Sequence, residues 1–216
     1  FFIGSGRTSI AIADFDGVKT ENIMVTAGSG EVLDVVGTTF LTNGKKVLGV
    51  EPSYGSVYQH ATNIKAEAIK VALRKDYTAD IAGMVKAAND NAAQVGFFYL
   101  CNPNNPTGVI VRKAEVDAAV KGIPKGMPIL IDEAYHHFVD DPAYGTSVPY
   151  VIEGRPVIVA RTFSKIAALA AMRVAGFHRD EVHLPMANAA LRLHRTGERA
   201  DGGCRAFEDD GLEAVL

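Results

Sequence analysis

The chain contains only two cysteines, Cys101 and Cys204, and they are far apart in the sequence. Their spacing fits neither a metal-binding motif nor a disulfide framework, which indicates a reducing, cytoplasmic setting. No apolar run of about 18 residues occurs, so the sequence predicts no membrane span, and no signal-peptide pattern is visible. The formal net charge is only -3, which argues against nucleic acid or a membrane surface as the main partner.

The composition is that of an ordinary globular protein, with 216 residues of which 48% are hydrophobic. The distribution of basic residues changes near residue 177. The last 39 residues contain five arginines and no lysine, whereas all eleven lysines come earlier. We therefore expect an incomplete domain over residues 1–177 and an atypical tail over residues 178–216. Two interpretations of the tail stay open: a polar, disordered extension, or a segment out of register with the rest, as a reading-frame error would produce.

Short apolar, β-branched runs alternate with longer amphipathic stretches. Helices are predicted to begin behind Ser29 and Thr78, which are both plausible N-caps. Strands are predicted at 22–26, 46–50, 68–73, 95–101, 128–134 and 156–162, and helices at 29–41, 54–63, 78–90, 112–122 and 165–173. This alternation predicts an α/β three-layer sandwich, with a mostly parallel sheet and helices on both of its faces.

Polar segments stand at the ends of four of the predicted strands. They are "AGSGE" (27–31), "NPNNPTG" (102–108), "DEAY" (132–135) and "RTFSK" (161–165). Folds of this class bind ligands beyond the carboxyl ends of their strands, so the four segments are expected to converge on one crevice.

Taken singly, each of these signals has a plain alternative. The Gly-Ser-Gly stretch fits a simple turn, Asp132 fits an N-cap, and Lys165 fits a solvated surface lysine. The adjacent His136 and His137 lack a third ligand, so no metal site is predicted.

Taken together, the segments resemble the fold-type I, class I/II pyridoxal-phosphate aminotransferases. Asp132 follows Asn105 by 27 residues, Lys165 follows Asp132 by 33, and Arg173 follows Lys165 by eight. The resemblance covers roughly residues 10–177, and within the superfamily it is greatest to the histidinol-phosphate aminotransferases, whose "RTFSK" the chain carries. It implies the large domain of a transferase that depends on pyridoxal 5'-phosphate.

The resemblance also implies roles for individual residues around the cofactor ring. Lys165 matches the lysine that holds the cofactor aldehyde and moves a proton, which requires a pKa lowered by burial and nearby positive charge. Asp132 matches the carboxylate that pairs with the ring nitrogen. Asn105 and Tyr135 match donors to the ring's phenolate oxygen. Tyr54 matches the aromatic that stacks on the ring, although a core aromatic is the alternative.

For the cofactor phosphate, the resemblance implies a second set of contacts. Backbone groups at a helix N-terminus, hydroxyls and a guanidinium all favour a phosphate dianion. The matching residues are Ser29, Gly30, Thr162, Ser164 and Arg173.

The chain also departs from the family pattern. After Arg173 it has Val174-Ala175-Gly176-Phe177 where the family has Val-Gly-Tyr, and neither the small domain with its carboxylate-binding arginine nor the N-terminal arm has a match. We therefore expect part of a homodimeric transaminase, inactive alone, whose whole form exchanges an amino group between histidinol phosphate or an aromatic amino acid and a 2-oxo acid. A decarboxylase or lyase on the same fold, and the sensor module of a transcription regulator, remain alternatives.

Overall fold

The computed structural model of the protein describes residues 5–168 and 175–178. This part contains six α-helices and seven strands. The helices are α1 (Ser5–Asp16), α2 (Ser29–Phe40), α3 (Ser56–Asn63), α4 (Ile81–Asp90), α5 (Lys113–Gly122) and α6 (Val148–Ile152). The strands are β1 (Ile23–Thr26), β2 (Lys46–Glu51), β3 (Ala68–Ala72), β4 (Val95–Cys101), β5 (Ile129–Asp132), β6 (Val157–Thr162) and β7 (Ala175–His178).

All seven strands form one sheet in the order β1-β7-β6-β5-β4-β2-β3. Strands β2 to β6 pair in parallel, as the alternation of strands and helices predicts. Strand β7 is antiparallel to both of its neighbours, β1 and β6. The sequence did not predict β7, because its four residues have no period-2 apolar pattern. This strand spans the domain boundary that we expected at residue 177.

Each face of the sheet carries its own apolar core, which confirms the predicted three-layer arrangement. Alternate residues of β4 divide between the two cores, since successive side chains of a strand point to opposite faces. Phe97 and Tyr99 pack with α2 and α3 on one face. Phe98 and Leu100 pack with α4, α5 and α6 on the other. Strand β4 is therefore apolar almost throughout, as expected of a strand covered on both sides.

Two predicted helix starts are wrong in detail. Helix α2 begins at Ser29, but its N-cap is Gly28, whose φ of 96° favours glycine. Helix α4 begins at Ile81, where the Asp80 side chain accepts a hydrogen bond from the main-chain N–H of Gly83. Thr78 does not cap this helix, because both its N–H and its hydroxyl donate to Asp76.

Helices α1 and α6 were not predicted, and one predicted helix is misplaced. Helix α1 was not predicted, and only Ala13 among its described side chains is buried, so its apolar periodicity is weak. The helix predicted from Lys165 onward does not begin there. Residues 165–168 form a turn that ends at Ala168 with a φ of 54°, and the remainder of that predicted helix, residues 169–173, lies outside the described residues.

In residues 5–168 and 175–178, no helix is long and apolar enough to cross a bilayer.

Candidate active site

The carboxyl ends of four strands lie along one edge of the sheet. Cys101 at the end of β4 pairs with Asp132 at the end of β5, and Asp132 pairs with Ala160 near the end of β6. Strand β1 also ends at this edge, because it is antiparallel to β7, which is in turn antiparallel to β6. The polar segments that follow these strands therefore start from the same edge.

Asp132 is a buried carboxyl group at the end of β5, with 3% of its surface exposed. Its Oδ1 atom accepts a hydrogen bond of 3.1 Å from the main-chain N–H of Ala134. The pKa of Asp132 is raised to about 6, mainly by burial and in part by the neighbouring Glu133 charge, whereas the Ala134 N–H, the Lys165 charge and the Tyr99 hydroxyl act in the opposite direction. Among the described residues, no cation forms an ion pair with this carboxyl group.

Lys165 and Tyr135 lie near this carboxyl group. The Lys165 Nζ atom is 5.2 Å from the centroid of the Tyr135 ring, a distance at which a cation is attracted to the ring face. The Lys165 side chain is exposed in this structure, whereas the role that the resemblance implies for it requires burial. It stands in the turn after β6, outside both apolar cores.

The three asparagines of the loop after β4 have different environments. Asn102 is buried and pairs through its side-chain amide with the N–H and the C=O of Val111, at 2.8 and 3.0 Å. Asn104 is buried, accepts from the Ser53 hydroxyl at 2.7 Å and donates to the C=O of Pro52 and the Thr107 hydroxyl.

Asn105 differs from the other two asparagines. Its side-chain amide is half-buried and makes no hydrogen bond to any residue of the described part. Two asparagines therefore shape the loop through their side chains, and the third does not.

A cavity of about 380 Å³ lies beside this loop. One wall is formed by residues 103–106 and Gly108, and the other by Tyr135, Phe138 and Val139. The unpaired amide of Asn105 and the ring of Tyr135 thus line the same space. This is large enough to hold part of a small ligand.

Cys101 connects this loop to the segment that carries Tyr54. The main-chain N–H groups of Asn105 and Tyr54 both act on the Cys101 thiol and oppose the rise in its pKa. Burial is the stronger effect, and it raises the pKa of Cys101 to about 12. Tyr54 is 39% exposed, which contradicts the alternative that it is a core aromatic.

The residues predicted to contact a phosphate lie at two strand ends. Ser29 and Gly30 form the first turn of α2, where main-chain N–H groups lack intrahelical acceptors. Thr162 is buried at the end of β6, and its hydroxyl accepts from the N–H of Ser164 at 3.1 Å. Arg173 lies outside the described residues.

A charged cluster that the sequence analysis missed joins the strand ends to helix α1. Arg161 donates from Nε and Nη2 to Oε2 of Glu133 at 3.1 and 3.0 Å, and from Nη1 to Oδ1 of Asp16 at 2.8 Å. Glu133 is 1% exposed, and its other oxygen accepts from the N–H of Ser147. Two charged residues inside "DEAY" and "RTFSK" were a visible signal, but nothing in the sequence connects them to Asp16.

His136 and His137 have adjacent rings, with centroids 4.9 Å apart. The Nδ1 atom of His136 lies 3.3 Å from the Tyr144 hydroxyl, which itself donates to the C=O of Asn102. Burial, and then the Arg161 charge, lower the pKa of His136. Among the residues that the structure describes, no three His, Cys, Asp or Glu side chains are grouped so as to hold a metal ion.

Comparison with known proteins decides the family. The family model for aminotransferases of class I and II matches residues 5–197. The chain belongs to this family.

Several histidinol-phosphate aminotransferases are similar to this class I and II aminotransferase chain. The enzyme of Maricaulis maris is 38% identical over 172 residues, which is 79% of this chain and 46% of that enzyme. The enzyme of Brevibacillus brevis is 37% identical over 163 residues, which is 76% of this chain and 44% of that enzyme. The chain thus spans less than half the length of these curated relatives.

The fold is that of solved aminotransferases. The structure of histidinol-phosphate aminotransferase from Sinorhizobium meliloti, in complex with pyridoxal-5'-phosphate, superposes with a TM-score of 0.74 at 22% identity. The superposition covers 90% of this chain and 56% of that one. This likeness establishes that the chain has the large-domain fold of pyridoxal-phosphate-dependent aminotransferases.

Proposed function

We propose that the chain is the incomplete large domain, residues 1–177, of a pyridoxal-phosphate-dependent aminotransferase. The observation that carries this proposal is the environment of Asp132. This carboxyl group is buried and has a raised pKa. It lies within electrostatic reach of the Lys165 amine, at the sheet edge that also bears the unpaired amide of Asn105. A buried acid, an amine and an amide at one sheet edge are what this chemistry requires.

The residues present fit the cofactor. A carboxylate that is buried without a full positive partner is costly, and a protonated pyridine nitrogen supplies the missing charge at Asp132. The side-chain amide of Asn105 has no partner in the described part of the chain, and it lines the same cavity as Tyr135. These two side chains can donate to the ring's phenolate oxygen.

The chemistry then divides among the chain's own residues. The bound cofactor ring supplies an electron sink for the negative charge that develops at the substrate's Cα atom. Asp132 keeps a proton on the ring nitrogen through a charge-assisted hydrogen bond. The Lys165 amine removes the proton from the substrate's Cα atom and returns a proton to the acceptor carbon. The exposure of Lys165 means that this step needs a cover that excludes water.

Other residues bind the phosphate and the ring. Ser29 and Gly30 offer N–H groups at the N-terminus of α2, where the helix dipole favours an anion. Thr162 and Ser164 add groups from the end of β6. Arg173 is the guanidinium of this set by resemblance alone. The exposed ring of Tyr54 is available to stack on the cofactor.

The proposed substrates, assembly and cellular location are those of the whole protein. The histidinol-phosphate aminotransferases among its relatives support histidinol phosphate as the amino donor, with an aromatic amino acid as the other candidate and a 2-oxo acid as the acceptor. The whole protein is proposed to act as a homodimer in the cytoplasm. Residues 178–216 are proposed to be an atypical tail outside this domain.

The test of the proposal is covalent labelling of Lys165. The chain is mixed with pyridoxal 5'-phosphate, reduced with borohydride, digested and analysed by mass spectrometry. We expect the label on the peptide that contains Lys165, and no label at that position in Lys165→Ala. Lys75→Ala, which removes another exposed lysine, is the control and should label normally. Labelling centred on a different lysine contradicts the assignment.

Product analysis of the whole protein separates the alternative on the same fold. A transaminase converts the amino donor into an oxo compound and passes the amino group to a 2-oxo acid. A decarboxylase instead releases carbon dioxide. Release of carbon dioxide without an oxo product would replace the proposed reaction by decarboxylation.

A further inference from the structure

Tyr99 lies beside the buried Asp132 on the same side of the sheet. In the parallel pairing of β4 and β5, Tyr99 is opposite Leu130, and Cys101 is opposite Asp132. Residues two apart on a strand point to the same face, so the side chains of Tyr99 and Cys101 share one face. The Tyr99 side chain is fully buried there. Its hydroxyl lies close enough to the Asp132 carboxyl group to affect that group's pKa.

The hydroxyl of Tyr99 is buried from solvent, and it makes no hydrogen bond of normal geometry with the described residues. The ring itself is fixed. It packs edge-on against the Tyr58 ring, with centroids 5.9 Å apart and an angle of 87°. Tyr58 is anchored in turn, since its hydroxyl donates to the C=O of Val50 at 2.8 Å. A buried hydroxyl group without a partner is destabilising, so this one calls for an acceptor.

Two possible acceptors, Asp132 and Cys101, lie near enough to the Tyr99 hydroxyl to affect its pKa. The Cys101 thiol also interacts with the Tyr99 hydroxyl. It already donates to the C=O of Pro103 at 3.3 Å, and the main-chain N–H groups of Asn105 and Tyr54 approach it as well. Asp132 has one hydrogen bond, from the N–H of Ala134. An ionised carboxylate is also the stronger acceptor. Asp132 is therefore the more favourable acceptor for the Tyr99 hydroxyl.

The electrostatics agree with this arrangement. Burial is the main reason for the raised pKa of Tyr99, and the Asp132 charge raises it further. In the other direction, burial is the main reason for the raised pKa of Asp132, and the Tyr99 hydroxyl opposes that rise.

We propose that Tyr99 is a positioning residue for Asp132, whose hydroxyl donates to the carboxylate and keeps it ionised and oriented toward the cofactor's ring nitrogen. The purpose assigned to this contact rests on the proposed function, because the ring nitrogen is the partner that Asp132 serves. The contact itself belongs to the chain alone and can be measured without cofactor.

The test compares Tyr99→Phe with Tyr58→Phe in the 216-residue chain. Each variant removes one buried hydroxyl from the same pair of edge-on rings, but only that of Tyr99 is near Asp132. The pKa of the Asp132 carboxyl group is measured in the cofactor-free chain by NMR of 13C-labelled aspartate. A hydrogen bond to a charged group shifts such a pKa by roughly one unit. We expect a rise of about that size in Tyr99→Phe and no change in Tyr58→Phe.

The unaltered chain gives a second measurement that does not depend on the folding of a variant. The Tyr99 hydroxyl proton should give a resonance protected from exchange, whose shift follows pH with the same midpoint as the Asp132 carboxyl signal. An Asp132 pKa that is equal in the wild type and in Tyr99→Phe overturns the proposal. A Tyr99 hydroxyl proton that exchanges rapidly with water, or whose chemical shift does not change as Asp132 titrates, also overturns the proposal.

Cofactor binding provides an arm that separates this proposal from the proposed function. The dissociation constant of pyridoxal 5'-phosphate should rise about tenfold in Tyr99→Phe at pH 8 and stay unchanged in Tyr58→Phe. Equal affinities in all three chains overturn the positioning role. Should the cofactor bind to none of them, the proposed function fails, and the cofactor-free titration still decides the contact between Tyr99 and Asp132.

Discussion

Asp16 and Arg161 are separated by 145 residues in the chain, and their side chains form an ion pair of 2.8 Å in which each is only 11% exposed. Arg161 also donates to Glu133, the residue directly after Asp132. This cluster attaches helix α1 to the ends of β5 and β6. The same strand ends carry the proposed catalytic residues, so the N-terminal helix and the site are mechanically connected.

The first prediction concerns the stability that this cluster provides. Arg161→Met leaves the carboxylates of Asp16 and Glu133 without their shared cation, and loss of one partner from a buried ion pair costs about 3–5 kcal/mol. Arg155→Met is the control. The Nε atom of Arg155 lies 3.7 Å from Oε2 of Glu153, and both side chains are exposed; such surface ion pairs contribute about 0–1 kcal/mol to stability. Urea unfolding measures both. Similar losses in the two variants would show that the cluster does not stabilise the fold.

The second prediction concerns the pH dependence of stability at Asp132. Its folded pKa of about 6 lies above the ordinary value of 3.8, so the folded chain binds this proton more tightly than the unfolded chain does. The resulting stability is present below pH 3.8 and is lost as the pH rises through 6. Asp132→Asn, which cannot ionise, should therefore be more stable than the wild type at pH 8, by about 3 kcal/mol at most.

The measurement is thermal unfolding of the two cofactor-free chains between pH 5 and pH 8. The advantage of Asp132→Asn should shrink as the pH falls, and a difference that is independent of pH contradicts the raised pKa. In the whole protein the same change should lower turnover by about 10²–10⁴-fold, because electrostatic stabilisation of the ring nitrogen is weakened. Cofactor should still bind.

The third prediction compares two neighbouring asparagines. Asn104→Ala removes hydrogen bonds to Ser53, Pro52 and Thr107, and it should cost about 1–3 kcal/mol of folding stability. Asn105→Ala removes none within the described part and should change stability by less than about 0.5 kcal/mol. It should instead weaken the binding of pyridoxal 5'-phosphate about tenfold. Unfolding curves and cofactor titrations on both variants make the comparison, and a large stability loss in Asn105→Ala would assign that residue to the loop.

The fourth prediction is that residues 1–216 alone do not transaminate. Lys165 is exposed here, and an open crevice weakens every charge interaction at Asp132 and Lys165. The sequence has no match for the family's arginine that holds the substrate carboxylate, and loss of such positioning can cost several kcal/mol. The chain is saturated with pyridoxal 5'-phosphate and mixed with a panel of amino acids. Stoichiometric conversion to pyridoxamine phosphate within seconds would show that this chain is sufficient.

The sequence by itself determined the order of most strands and helices. The bounds of strands β2, β4 and β6 were predicted to within a residue or two. Each strand is a run of β-branched and aromatic residues, and such a run can be recognised from adjacent residues alone. The positions of Asp132, Asn105 and Lys165 at a strand end or within four residues of one were equally local, since each lies at or shortly after an apolar run. The resemblance to aminotransferases rested on these spacings, and it is confirmed by the family match.

Tertiary structure alone decided the contacts between distant segments. The pairing of Asp16 with Arg161, the place of β7 between β1 and β6, and the hydroxyl of Tyr99 beside Asp132 depend on residues brought together by folding. No local pattern encodes them. The raised pKa of Asp132 has the same origin: a carboxyl group in the sequence has its ordinary acidity, and only its burial at the sheet edge changes the free energy of its charged form.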